Sequence, residues 1–184
     1  MILFFLIIST ILIISRRNAA EYAKSNVMLA RAVSYISSNP NKALEDFENL
    51  LMTFPESEAS IEAHFHMGRI HLSLDSTDAA KVNFDTYLEL APEGLFSSAS
   101  MSQLANIALY NDESALAGDL FDNAAEKSSV NYIMSVNKLN AVEAFITAGE
   151  ISRAKELLFS ISINPENEKR FETLKIRISR SLNK

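Results

Sequence analysis

The chain of 184 residues contains no cysteine. It therefore cannot form disulfides, bind a metal through thiolates, use a cysteine nucleophile or carry the lipidated cysteine of a bacterial lipoprotein. Glycine and proline are scarce, with four of each. Because the glycines are scattered along the chain, they cannot form a glycine-rich phosphate-binding loop. These absences exclude thiol chemistry and nucleotide binding through such a loop.

Charge is distributed unevenly along the chain. Residues 18–152 hold 7 basic and 19 acidic side chains, whereas residues 153–184 hold 8 basic and 4 acidic ones. The acidic body disfavours nucleic-acid binding, and the basic residues near the C-terminus are not interleaved with aromatic residues. We predict no nucleic-acid partner and no small-molecule substrate. The basic segment is either a solvated capping helix or a tail that contacts an acidic surface.

Three columns of residues recur at a period of 37. The first column is small, the second is large and apolar, and the third is mostly apolar and large. The columns are Ala43, Ala80, Ala117 and Ala154; then Phe47, Phe84, Phe121 and Leu158; then Leu50, Tyr87, Ala124 and Ile161. The i, i+4, i+7 spacing places each trio on one helical face. A repeated helix of this kind buries its apolar face only by packing on its neighbours.

The second repeat carries the resemblance to a known family. Counted from Ile61, Gly68 is the eighth residue, Ala80 the twentieth and Pro92 the thirty-second. With Phe84 and Tyr87 between the last two, this pattern resembles the tetratricopeptide repeat (TPR). The repeat departs from that pattern at two first-helix positions, which are His64 and His71.

The resemblance implies an all-α fold, a right-handed TPR-like solenoid of about four helical hairpins. We place this repeat domain at residues 18–165. Pro165 is expected to open a basic capping helix, residues 166–184, with Phe171, Leu174 and Ile178 on its apolar face. Such a helix would cover the exposed end of the stack.

Residues 1–17 are interpreted as an N-terminal transmembrane anchor, because residues 1–15 are apolar apart from Ser9 and Thr10. A cleaved signal peptide is disfavoured, since its positive charges should precede the apolar run. Two alternatives remain. If the anchor begins at Met1, Arg16 and Arg17 place the repeat domain in the cytoplasm. If the true start lies upstream, the anchor is truncated here and its orientation can be reversed.

The three histidines are the main candidates for chemistry. His64 and His71 share a helical face, whereas His66 does not. Two histidines are too few for a zinc site, and both shared-face residues occupy positions that pack between helices in the TPR pattern. We therefore predict no metal site, cofactor or catalytic residue. A metal-dependent enzyme using His64 and His71 is the minor alternative.

The TPR resemblance implies a protein or peptide ligand in a concave groove lined by the first helix of each hairpin. The expected groove residues in the second, third and fourth repeats are Phe65, Arg69 and Leu72; Asn106, Leu109 and Tyr110; and Leu139, Glu143 and Ile146. The alternative is that several of these side chains pack against the next helix.

The expected layout, one anchor followed by an acidic repeat domain, is similar to the YfgM type of membrane-anchored bacterial envelope protein. This resemblance implies a non-enzymatic scaffold at the cell envelope, associated with the secretion translocon or chaperones. It places the protein in the inner membrane as a single-pass protein with a periplasmic repeat domain. The arginines favour instead a cytoplasm-facing TPR adaptor on the same tether.

Overall fold

The computed structural model describes the backbone of residues 2–182 and the side chains of residues 15–182. Nine α-helices and no strands occur in this part of the chain, which confirms the all-α prediction. The helices are α1 Ile2–Tyr35, α2 Pro40–Thr53, α3 Glu58–Ser73, α4 Thr77–Leu90, α5 Ser97–Tyr110, α6 Ser114–Glu126, α7 Asn131–Thr147, α8 Ile151–Phe159 and α9 Glu168–Leu182.

The expected membrane location is contradicted. Across residues with described structure, no helix has both the length and the apolar character needed to cross a membrane. The prediction of a single-pass inner-membrane protein is therefore wrong. Most of the proposed anchor, residues 1–14, lies outside the described side chains.

The chain divides into two compact units, Met1–Asn83 and Phe84–Lys184. In the first unit, α1, α2 and α3 pack against one another; in the second, α6 packs between α5 and α7, and α9 packs on α7 and α8. Helix α4 crosses the boundary between the units.

Local capping interactions define where α2 and α3 begin. The Asn39 side chain accepts a hydrogen bond from the Lys42 backbone N–H at 3.1 Å, and Pro40 occupies the first turn of α2. Ser57 caps α3 in the same way by accepting from the Ser60 backbone N–H. Both caps satisfy backbone donors that have no partner within the helix.

The turns that join α3 to α4, α5 to α6 and α7 to α8 share one backbone geometry, at the same period as the sequence repeat. Asp75, Asp112 and Gly149, spaced 37 apart, have φ values of 56°, 61° and 80°. Each is followed by a residue whose N–H bonds the carbonyl five residues earlier at 2.8 Å. A left-handed residue followed by a hydrogen bond between residues five apart is the Schellman motif, which ends a helix. One turn geometry is therefore used three times.

The alanine columns are buried, as the repeat pattern predicts. Ala43, Ala80, Ala117 and Ala154 are fully buried, and the large residues four positions later are 2% exposed or less. In the first unit, Ala43 and Phe47 belong to a core that includes Ala32, Leu50 and Ile70.

The second unit buries a larger apolar core, in which helices α5 to α9 all take part. Its members are Ala105, Phe121, Leu139, Ala141, Val142, Phe145, Ala154, Leu158, Ile161, Phe171, Leu174 and Ile178. The predicted apolar face of the last helix is therefore buried in this core.

Helix α9 is preceded by a cap at Asn164, directly before Pro165. The Asn164 side chain accepts hydrogen bonds from the N–H groups of Glu166 and Asn167. The Asn167 side chain accepts in return from the Asn164 N–H at 2.8 Å. Because the Glu168 N–H also donates to the Asn164 carbonyl at 3.0 Å, these reciprocal bonds form a capping box at Asn164, and the regular helix runs from Glu168 to Leu182.

Candidate protein-binding surface

In the first unit, the expected groove residues lie on α3 but differ in accessibility. Phe65 is buried, Leu72 is half-buried and Arg69 is exposed. The Arg69 guanidinium carbon lies 5.7 Å from the centroid of the Phe65 ring, one helical turn away. This cation–π contact makes Phe65 a support for Arg69. Arg69 is thus the most accessible of these three side chains.

In the second unit, α5 presents Asn106, Leu109 and Tyr110 together. The three residues are spaced i, i+3 and i+4, which places them on one face. All three are exposed, Tyr110 to 82% and Leu109 to 38%. The opposite side of α5 is buried, with Leu104, Ala105, Ile107 and Ala108 turned to the core. Helix α5 therefore holds an apolar side chain and an aromatic ring at the surface on a packed support.

The three expected residues on α7 have different environments. Leu139 is 2% exposed and belongs to the core of the second unit, and Ile146 is half-buried against the same core. Glu143 lies at the surface and is half-buried. Leu139 therefore packs inside the unit, in line with the alternative that some of the expected groove side chains pack against neighbouring helices.

Glu143 is held by two arginines of α9 that sequence reasoning did not connect to it. Its Oε2 accepts from Arg170 Nη2 at 2.9 Å, and its Oε1 accepts from Arg177 Nη1 at 2.6 Å. Burial alone would raise the pKa of Glu143, but the hydrogen bonds from these two arginines overcome that effect, so its pKa is lowered. Part of the basic C-terminal segment therefore neutralises an acid of its own unit.

A surface cavity of about 550 Å³ lies where the α5–α6 turn meets the end of α7. Its lining residues are Asp112, Glu113, Ser114, Ala115, Leu116, Thr147 and Ala148. None of them is basic, and Leu116 is 47% exposed. In sequence, Tyr110 lies two residues before the first lining segment, and Ile146 directly precedes the second. The cavity lining thus begins close in sequence to expected groove residues of α5 and α7.

His64 and His66 each contact a neighbouring side chain. His64 Nδ1 lies 3.1 Å from Asn83 Oδ1, to which it donates a hydrogen bond. The His66 ring stacks on Phe47 with an interplanar angle of 6°. Burial, aided by the charge of Arg69, lowers the pKa of His66 to about 4. Among the described side chains, no group of three His, Asp or Glu residues is arranged to hold a metal ion.

Comparison with known proteins identifies the fold. Two solved structures of a kinesin light chain-like protein from Podosopora anserina, with nearly identical TPR-like repeats, are similar to this chain; one is a single-substitution variant. Each has a TM-score of 0.61 at 14% sequence identity, and the match covers 88% of this chain. It covers 86% of the variant and 87% of the other. No protein-family model matches the chain, and no curated protein matches its sequence.

The TPR-like fold expected from the repeat pattern is therefore confirmed by structure. The similarity does not extend to the YfgM-like layout, which depended on the anchor.

Proposed function

We propose that this protein is a non-enzymatic scaffold that binds a protein or peptide partner through the α5 surface of its second unit, defined as Asn106, Leu109 and Tyr110. The TPR-like fold supports protein binding in general, and the exposure of Tyr110 supports this location. A tyrosine that is 82% exposed beside an exposed leucine leaves apolar area in water, and aromatic residues are enriched at protein interfaces.

The support beneath the surface also favours binding. Ala108, directly before Leu109, packs in a small cluster with Ala117 and Ala144, which joins α5 to α6 and α7. A contact surface on packed helices loses little conformational entropy when a partner binds. The surface is therefore suited to a partner that contacts it without rearranging the fold.

Site-specific photo-crosslinking in cells tests this proposal. A photoreactive amino acid at Tyr110 is expected to give discrete crosslinked protein bands. The same amino acid at Lys155, which is exposed on α8, is the matched control and is expected not to give those bands. Asn106→Ala combined with Leu109→Ala should weaken the Tyr110 crosslinks while the far-ultraviolet circular dichroism is unchanged. Crosslinks at Lys155 alone, or none at Tyr110, would place the partner elsewhere.

A metal-dependent enzyme is not favoured by any observation at the histidines. The Nδ1 atom of His64 is engaged with Asn83, and His66 stacks on an aromatic ring. Both arrangements are those of structural side chains, and a zinc site requires at least three protein ligands.

A further inference from the structure

We infer that the second unit recognises a polypeptide segment combining basic with apolar side chains, at a site we call the acidic turn surface. It consists of Tyr110, Asp112, Glu113, Leu116 and Thr147. This inference rests on the proposed function, since it adjoins the α5 surface and specifies the chemistry of the partner. It adds a charge requirement that the α5 surface by itself does not contain.

Four residues of the acidic turn surface lie around one cavity. Asp112 and Glu113 lie in the α5–α6 turn, and Leu116 lies in the first turn of α6. With Thr147 at the end of α7, these residues line one cavity of about 550 Å³. This cavity is a depression open to solvent, in which side chains of a bound segment can lie. The exposed Leu116 offers apolar contact at the place where the carboxylates offer negative charge.

The negative charges of Asp112 and Glu113 are not paired with any described basic side chain of the second unit. Within the described part of the second unit, several other acidic residues already have a basic partner: Glu143 has Arg170 and Arg177, Asp119 and Glu150 share Arg153, and Glu93 has Lys127. Asp112 and Glu113 form no ion pair with any described residue, and the same is true of Asp122 and Glu156. Asp122 and Glu156, however, line a pocket together with Arg153, whereas the lining around Asp112 and Glu113 includes no basic side chain. A basic partner would therefore supply the charge that the fold provides at those other acids.

The backbone holds this charge in a fixed position. Asp112 has a left-handed φ of 61°, and the Glu113 N–H donates to the Ala108 carbonyl at 2.8 Å. The two carboxylates thus project from an ordered helix ending. Because the turn is already formed, binding a cationic side chain there requires no ordering of the loop.

The same features argue for a polypeptide over a metal ion. The described residues contain no group of three metal-binding side chains, and a free cation would make no use of Leu116 or Tyr110. The exposed Tyr110 ring can instead receive a lysine or arginine over its face. Side chains of both kinds on one segment would use all parts of the surface.

Fluorescence anisotropy with a designed peptide tests the inference. The probe is a fluorescein-labelled dodecapeptide of leucine, arginine and serine, and the matched peptide has glutamate in place of each arginine. The full-length protein is expected to bind the arginine peptide more tightly than the glutamate peptide. The preference should weaken as the salt concentration rises, because exposed charges are screened.

Charge-neutral variants locate the site. Asp112→Asn combined with Glu113→Gln should weaken binding of the arginine peptide about three- to tenfold, as expected for two exposed ion pairs. Asparagine tolerates the left-handed backbone at residue 112, so the turn should be kept. Glu126→Gln combined with Glu156→Gln removes the same charge from exposed acids of this unit and should change the affinity less than about twofold. Leu116→Ser should weaken the binding of both peptides.

Three results would overturn the inference: no binding of the arginine peptide, equal affinity for the two peptides, or equal effects of the two charge-neutral variants. Glu113→Gln alone keeps the test decisive if the double variant is unstable. The proposed function fails separately, because it depends on the Tyr110 crosslinks in cells. Crosslinks at Tyr110 with no charge preference would preserve the scaffold and remove only the basic partner.

Discussion

Arg31 on α1 and Asp46 on α2 are joined by a two-point ion pair across the first hairpin. Arg31 Nε lies 3.1 Å from Asp46 Oδ2, and Arg31 Nη2 lies 3.1 Å from Asp46 Oδ1. The Asp46 side chain is only 4% exposed, whereas that of Arg31 is 53% exposed. A buried carboxylate thus depends on a cation that reaches it from the surface.

Arg31→Ala should destabilise the first unit, because it leaves the buried Asp46 carboxylate with Lys42 as its remaining described ion-pair partner. We expect a loss of about 1–3 kcal/mol, less than for a fully buried pair because Arg31 is half exposed. Urea unfolding followed by circular dichroism measures it. Arg17→Ala, which removes an exposed pair with Glu21 within α1, is the control and should change stability by less than about 0.5 kcal/mol. Equal stability of the two variants would contradict this account.

Ala117→Leu should destabilise the second unit by about 1–3 kcal/mol, since the added atoms must enter a fully packed position. Ala117 is fully buried and contacts Ala108 and Ala144. Thermal unfolding of the variant is the measurement. The same change at Ala30, an exposed alanine on α1, should have little effect. A wild-type melting temperature for Ala117→Leu would show that this column does not set the spacing of the helices.

Gly118→Ala should also destabilise, although alanine normally improves a helix by about 1 kcal/mol over glycine. A Cβ atom at residue 118 would overlap the Phe145 ring of α7, with ring atom Cζ only 2.8 Å away. We expect a net loss of about 1–3 kcal/mol. The double variant Gly118→Ala, Phe145→Leu should lose less stability than the sum of the losses of the two single variants, because leucine leaves part of the space of the phenylalanine ring empty. Strictly additive losses in a double-mutant cycle would argue that the two residues do not restrict each other.

Acidification should weaken the first unit through His66. Its pKa is about 4 in the folded protein and about 6.5 in an unfolded chain. The unfolded chain therefore binds the proton more readily than the folded protein does. The contribution of neutral His66 to the free energy of unfolding is complete above about pH 6.5 and is lost as the pH falls towards 4. Between about pH 7 and pH 5 the loss should be about 1–2 kcal/mol.

The difference between wild type and His66→Gln isolates that effect. Glutamine does not titrate in this range, so urea unfolding of the variant should show a shallower fall in stability between the same two pH values. Parallel curves for the two proteins would mean that His66 does not change its pKa on folding.

The repeat pattern predicted much of the fold because the size of the side chain at each repeated position follows from how closely the helices pack there. A small residue at Ala43, Ala80, Ala117 and Ala154 is required where helices approach closely, and these residues are buried. The column of Asp75, Asp112 and Gly149 at the same period also marks the left-handed turns, and it was available in the sequence. The capping box that joins the side chains and backbone of Asn164 and Asn167 at the start of α9 could not be assigned from Pro165 alone.

The candidate surface was only partly predictable. Leu109 and Tyr110 were expected at the surface and are exposed, whereas Leu139 of the same set is buried. Helical periodicity gives the angle of a side chain around its own axis, but not how far a neighbouring helix extends over it. The pairing of Glu143 with Arg170 and Arg177 likewise joins residues about 30 positions apart.

By itself, the sequence determined the helical hairpins, their period and their buried columns, because these follow from local spacing and side-chain size. Only the tertiary structure decided which acids are neutralised and which remain open, because ion pairs between helices depend on distances that periodicity does not specify. It also contradicted the membrane location, which had been inferred from the hydropathy of a short terminal segment. The surface chemistry of this protein is thus a property of its packing.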